Sequence, residues 1–256
     1  MPLPKGRNVA VSPFRRMVID LMHFSRKAPC VAVEKRMDLA RLVAARQACS
    51  VRPSWTALFA KAFAMVARDV PQLRQAYMLF PWPRLYEHGK SIVSINVERQ
   101  WGDERVVVLA RIRSPENRPI GDLDAILREY KDKPLEQLSS FGRDMSVARL
   151  PWLLRRLLWW GALNVFGRRR SHNFGTFAIT SVAAHGAGVL HIIPLLTSQL
   201  HYGLLDDQGR LDMRMSFDHR VLDGVTAAGV LVALERALAN EILEEVQSLR
   251  SIKLAA

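Results

Sequence analysis

Apolar residues recur at helical spacing in some stretches of the chain and alternate with polar ones in others, so helices and strands are interspersed. Leu58, Phe59, Ala62, Phe63 and Val66 fall on one face of a helix over Trp55–Val70, with Ser54 as its cap and Pro71 as its stop. Pro13 opens a helix over Phe14–Arg26, and Pro29 ends it. Cys30–Met37 reads as a strand, and Asp38 as the N-cap of a helix over Leu39–Ala48. Arg84–Glu98 predicts a strand, a turn at Gly89 and a second strand; Glu104–Arg113 predicts a β-branched strand. Helices are expected over Asp122–Lys131, Leu135–Ser146 and Pro151–Phe166. Asp206-Asp207-Gln208-Gly209 reads as a hairpin turn. In the strand after it, Leu211, Met213, Met215 and Phe217 alternate with Asp212, Arg214 and Ser216, so one face is buried. From Gly224 a long helix runs through Leu231, Leu234, Leu238 and Ile242. The pattern predicts a mixed α/β chain.

Composition narrows this picture. The 256 residues are 49% hydrophobic, which is enough apolar surface to offset chain entropy and excludes disorder. With no linker, low-complexity run or repeat, one domain over 1–256 is expected. Ser171–Leu205 is a run without one Asp, Glu, Lys or Arg, and it reads as strands buried on both faces. No segment holds the roughly 20 apolar residues of a membrane span, and the N-terminus lacks the apolar core of a signal peptide. Cys30 and Cys49 have no metal spacing, so buried, reduced thiols and a cytoplasmic setting are expected.

The formal net charge is +13, and its placement says more than its size. Residues 1–36 carry a net +6, residues 143–170 another +6, and the remainder is balanced. A uniformly cationic, histone-like protein is excluded. The segment 144–170 is a basic amphipathic Leu/Trp/Arg stretch in which Trp152, Trp159 and Trp160 lie among leucines with arginines at both ends. It suits peripheral contact with a membrane surface, as at the inner face of the cytoplasmic membrane, or a cover over a hydrophobic acceptor, against the plainer reading of a helix packed on the core. Nucleic acid is not expected, because leucine dominates the patch and no binding motif is present.

The sharpest chemical signal is Ser216-Phe217-Asp218-His219-Arg220-Val221-Leu222-Asp223-Gly224. His219 directly follows an alternating strand, and Asp223 stands four residues on, before a helix. An imidazole at a sheet rim titrates near neutral pH and can abstract a proton. A zinc site would need further ligands at a recognisable spacing, and none is present.

In this context FDHRVLDG resembles the active-site motif of the 2-oxoacid dehydrogenase acyltransferase (E2) catalytic domains, relatives of chloramphenicol acetyltransferase. Three further segments are similar, in order: Phe14–Leu42 to the opening helix, strand and helix, Ser54–Tyr77 to the central helix, and GTFAITSVAAHG (Gly175–Gly186) to a GTFTISNLG strand. The segment 144–170 has no counterpart there. The resemblance implies a chloramphenicol acetyltransferase-like fold, a mixed α+β sandwich whose sheet has flanking helices, assembled as a trimer with sites between subunits. It implies His219 as general base, Thr180 as the hydroxyl that stabilises the oxyanion, and Asp223 paired with Arg15 to hold the catalytic loop. With no lipoyl or peripheral-subunit-binding domain in the chain, a stand-alone acyltransferase is expected, with acyl-CoA as donor, coenzyme A released, no metal, and a hydroxyl or thiol acceptor. A non-catalytic trimeric scaffold, and an E2 core served by lipoyl groups in trans, are the alternatives.

Overall fold

A computed structural model describes residues 6–190 and 195–251 of the chain. The described elements run α1 (Pro13–Ser25), β1 (Cys30–Asp38), α2 (Ala40–Gln47), α3 (Trp55–Asp69), β2 (Gln75–Met78), β3 (Arg84–Glu87), β4 (Ile92–Trp101) and β5 (Glu104–Arg113). They continue as α4 (Ile120–Asp132), α5 (Ser139–Ala148), α6 (Trp152–Asn164), α7 (Gly167–Phe174), β6 (Phe177–Thr180), β7 (Ser198–Tyr202), β8 (Arg210–Asp218), α8 (Gly224–Ala239) and α9 (Glu241–Ser251). Six strands form one mixed sheet in the order β1-β8-β7-β6-β4-β5, parallel only at β7-β6 and β6-β4. The mixed sheet with flanking helices is the architecture expected.

Alternation of side chains divides the two faces of that sheet. On one face Val93, Ile95, Phe177, Leu200, Met213, Met215 and Phe217 join buried residues of α3, α4, α8 and α9 in the main core. The helix α3 buries nine of its fifteen residues, and the Ser54 hydroxyl accepts from Ala57 N at 3.2 Å. On the other face Ser94 Oγ donates to the Phe174 carbonyl at the end of α7. There Phe24, Trp159 and Leu163 knit α1 to α6; α5 packs on Val106 and Val108, which extend the main-core face along the edge strand β5.

Several local expectations change. Gly89 does not turn β3 back onto β4: β3 pairs with β2 in a separate two-stranded sheet, because the short QAYM strand offers it an edge. The uncharged stretch begins inside α7, and between the buried strands β6 and β7 residues 183–190 are largely exposed. Its residues 191–194 lie outside the described ones. Asp38 ends β1, and Leu39 is the cap residue of α2, yet the Asp38 carboxylate still accepts from Ala40 N at 3.1 Å. The last helix is two, broken at Asn240. Cys49 is buried as expected, whereas Cys30 is half-buried on β1 opposite Asp218.

The basic stretch 144–170 is less of a surface feature than its sequence implies. Arg155, Trp159, Ala162 and Leu163 form the inward face of α6. Arg155 and Arg156 both ion-pair with Asp20 of α1, which is fully buried. Arg170 is buried too, and donates to the carbonyls of Tyr77 (2.8 Å), Leu163 (2.9 Å) and Leu195 (3.3 Å). Burial lowers its pKa to about 10, so it stays charged at neutral pH. Trp159 belongs to the core, stacked on Phe24 and tilted against Phe174, and Trp160 packs on Phe80. Trp152, Leu153, Leu154, Leu157 and Leu158 remain exposed on the outward face of α6.

Candidate active site

The strand β8 carries its buried alternation as far as Phe217 and ends at Asp218. His219 N then donates to the Pro29 carbonyl at 2.9 Å, continuing the ladder with β1 by one more rung. The imidazole is exposed at the sheet rim, with its ring tilted on Phe217 at 5.7 Å between centroids. The next turn is closed by Val221 N and Leu222 N, which donate to the Asp218 carbonyl at 3.0 and 3.1 Å.

A charge fork inside the motif holds this turn. Arg220 donates from Nε (2.9 Å) and Nη2 (2.6 Å) to the two carboxylate oxygens of Asp218, which is 2% exposed. Bidentate pairing of this kind fixes orientation as well as distance. The guanidinium also lies 4.3 Å over the Tyr77 ring. Tyr77 sits on β2, whose backbone Arg170 grips from α7. So the loop that presents His219 is braced through Arg220 and Tyr77 to the 144–170 segment. Along the chain Asp218 and Arg220 flank His219, and their opposite charges two positions apart are the signal of this fork in the sequence.

Asp223 follows His219 by four residues, at the start of α8. Its carboxylate caps α8, accepting from Thr226 N at 2.7 Å, and hydrogen bonds from Thr226 hold its pKa below the usual carboxylate range. An aspartate directly before a helix start is well placed for that role. Arg15, expected as its partner, is exposed on α1 and lines a cavity beside β5; it makes no ion pair with Asp223.

Thr180 closes β6, and Gly175 sets the entry to that strand. Gly175 has φ +90°, and a Cβ there would lie 2.6 Å from Ser94 Oγ and 2.9 Å from the Ile92 carbonyl, so only glycine fits. The neighbouring Ser181 hydroxyl is engaged locally, donating to the Tyr202 carbonyl at 3.0 Å and accepting from Ala183 N at 3.1 Å. Across the sheet from Thr180, His201 is fully buried; burial lowers its pKa, and Nε2 accepts from Val189 N at 2.9 Å, as a neutral ring does.

The register keeps Thr180 and His219 apart. Thr180 pairs with His201, and His201 with Arg214, so Thr180 is level with a residue five positions before His219. At about 3.3 Å per residue that is about 16 Å along the strand, with two strand spacings of about 4.8 Å across. His219 and Asp223 stand on one turn between β8 and α8, and Thr180 and Arg15 lie elsewhere in the protomer. Among the described residues no cluster of His, Cys, Asp and Glu could hold a metal ion.

No protein-family model matches the chain, and no curated protein matches it in sequence. Solved structures do match along nearly its whole length. A probable dihydrolipoamide acetyltransferase from Listeria monocytogenes is 18% identical over 91% of this chain and 94% of its own, with a TM-score of 0.66. The dihydrolipoamide acetyltransferase of Azotobacter vinelandii is 18% identical over 95% and 99%, with a TM-score of 0.65; a serine, a histidine and an asparagine were investigated for their role in its mechanism. A catalytic core of the 2-oxoacid dehydrogenase complex of Thermoplasma acidophilum is 15% identical over 92% and 99%, also at 0.65. At these identities the likeness is one of fold, and the chain has the fold of the dihydrolipoamide acetyltransferase catalytic cores.

Proposed function

We propose that this protein is an acyltransferase that moves an acyl group from a thioester donor, acyl-CoA, to a hydroxyl or thiol acceptor. The observation that carries this reading is His219: an exposed imidazole at a sheet rim, on a turn fixed by the Asp218–Arg220 fork, beside a carboxylate that caps the next helix. The Azotobacter enzyme has its histidine and asparagine four positions apart, as His219 and Asp223 are here.

In the reaction, His219 takes the proton of the acceptor O–H or S–H as the oxygen or sulfur attacks the thioester carbonyl. The tetrahedral intermediate carries its charge on the former carbonyl oxygen, and the Thr180 hydroxyl donates to it. Collapse breaks the carbon–sulfur bond, and the imidazolium returns its proton to the leaving thiolate. Asp223 positions the loop from the α8 terminus. Because Thr180 and His219 stand five residues apart in register and two strands apart within one protomer, each site takes its histidine from one copy and its threonine from the next, as a closed trimer permits.

No helix among the described residues is long and apolar enough to cross a membrane. The outward face of α6, with Trp152, Leu153, Leu157 and Leu158 exposed and Arg149 and Arg168 at its ends, is assigned to an anionic bilayer surface.

The test is direct. Purified protein is incubated with acetyl-CoA and longer acyl-CoAs plus hydroxyl and thiol acceptors, and thiol release is followed. Release that depends on acceptor and is lost in His219→Ala supports the reading; release unchanged in that variant overturns it.

A further inference from the structure

A cavity of about 510 Å3 lies between α1, α5, α6, α7 and the edge strand β5, on the face of the sheet away from the main core. The space opens to solvent, since Val107 and Leu158 on its walls are exposed, and its volume falls within the range of about 300–1,000 Å3 usual for small-molecule sites. Its walls are hydrocarbon and aromatic: Met17, Leu21, Val107, Val147, Trp159 and Phe174. The helices α5 to α7 that enclose it belong largely to the stretch 144–170 and its flanks. It contains neither His219, Thr180 nor Asp223.

One edge of the cavity is strongly basic. Arg111, Arg143 and Asp144 line it, and Arg113 and His172 adjoin them. The Arg111 guanidinium, 9% exposed, bonds the Asn173 carbonyl and donates to Asp144 Oδ2 at 3.0 Å. Arg113 and Arg143 approach the two ring nitrogens of His172, each at 3.0 Å. A neutral imidazole accepts at only one nitrogen, so one of these contacts sets two donors face to face. The three cations also lower the His172 pKa, after burial, which keeps the ring from adding a fourth charge. Arg111 and Arg143 thus share the Asp144 carboxylate, Arg113 makes no ion pair among the described residues, and the cluster has more donors than acceptors. An anionic group placed among them would correct both the charge and the donor excess.

We infer that this cavity binds a single long hydrocarbon chain whose anionic head, a carboxylate or a phosphate, sits on Arg111, Arg113 and Arg143. The tail lies between α1 and α6 against Trp159. His219 of the same copy is no part of this site, although Asn96 on its wall is next in register to Thr180, and the site gives the 144–170 segment a role in binding a lipid molecule.

The experiment is calorimetric titration of the full chain with palmitate and with 1-palmitoyl lysophosphatidate, the two sources of such a head. Laurate tests the chain, and hexadecyltrimethylammonium, a cation of the same tail length, tests the charge. Each pair of methylenes is expected to tighten binding on the order of tenfold, so laurate should bind about a hundredfold more weakly than palmitate. The cation should bind at least about tenfold more weakly than either anion. Val107→Trp, which fills the cavity from a partly exposed strand position, should weaken palmitate about tenfold or more, and Ala162→Phe does the same from the α6 wall should the first variant fail to fold. Arg143→Glu should weaken both anions. His219→Ala should bind as wild type does, which keeps this result distinct from that of the acyl-transfer assay. Equal binding of laurate and palmitate, no preference over the cation, or affinity undiminished in folded Val107→Trp or Ala162→Phe protein would overturn the inference.

Discussion

Thr180 and His219 lie five residues apart in register and two strands apart on one sheet, the first level with the middle of β8 and the second at its rim. If both serve one reaction, they come from different copies. Thr180→Ala and His219→Ala should each be inactive alone, the former by about 10²–10³-fold in kcat. Co-expressed, they should regain about a quarter of wild-type activity, because random trimers pair an intact histidine with an intact threonine in that share of sites. Activity that never exceeds the sum of the parents would show that the two residues do not share a site.

Asp20 is the pin between α1 and α6. It is fully buried and receives both Arg155 and Arg156. Removing one partner of a buried ion pair leaves the other charge uncompensated, at a cost of about 3–5 kcal/mol. Asp20→Ala should lower stability by that amount in urea titration, whereas Asp20→Leu combined with Arg155→Met should recover much of it. A single mutant as stable as wild type would mean that the pair contributes nothing.

The Asp218–Arg220 fork is expected to set the aim of His219 rather than its chemistry. Arg220→Lys retains the charge and loses the planar, bidentate bond and the stacking on Tyr77. We expect kcat to fall about tenfold, with the fold and the KM for acyl-CoA little changed. Unaltered kcat would remove Arg220 from the positioning of the loop.

His88 predicts a pH dependence of stability. It is 4% exposed, and burial followed by the field of Arg170 lowers its pKa to about 4 from 6.5. The unfolded chain therefore binds a proton that the folded chain refuses between pH 6.5 and about 4. Stability contributed by the neutral ring is complete above that window and is lost as pH falls through it, by up to about 3 kcal/mol. Asp144 and Glu116, whose pKa values burial raises, work in the opposite sense. The informative quantity is thus the difference between wild type and His88→Gln, which should shrink as the pH is lowered from 6.5 to 4. A difference independent of pH would contradict the assignment.

The outward face of α6 should bind anionic vesicles in flotation assays, more strongly at low salt than at high. Leu153→Glu with Leu157→Glu should abolish that binding and leave acyl transfer to soluble acceptors intact. Vesicle binding unaffected by the pair, or loss of the oligomer in the variant, would place a different occupant on this face.

Much of the local structure was legible in the chain because it rests on short-range chemistry. The α3 helix follows from a serine cap, one apolar face and a terminating proline. The strand β8 follows from strict alternation, and the rim position of His219 from where that alternation stops. Gly175 and the GTF segment were visible as a motif, though the reason for the glycine, its contact with Ser94, is not.

What only the tertiary structure decided are pairings between residues distant in sequence. No local signal tells β3 to join β2 instead of β4, since strand partners are chosen by which edges are available. The arginines of 144–170 look alike along the chain, yet Arg155 and Arg170 are buried because Asp20 and three carbonyls receive them, while Arg168 and Arg169 stay in water. The cavity against β5 exists only once four helices have packed around it. And the separation of Thr180 from His219 follows from strand order and direction: period-two alternation says which face a side chain takes, but not how far along the sheet it lands.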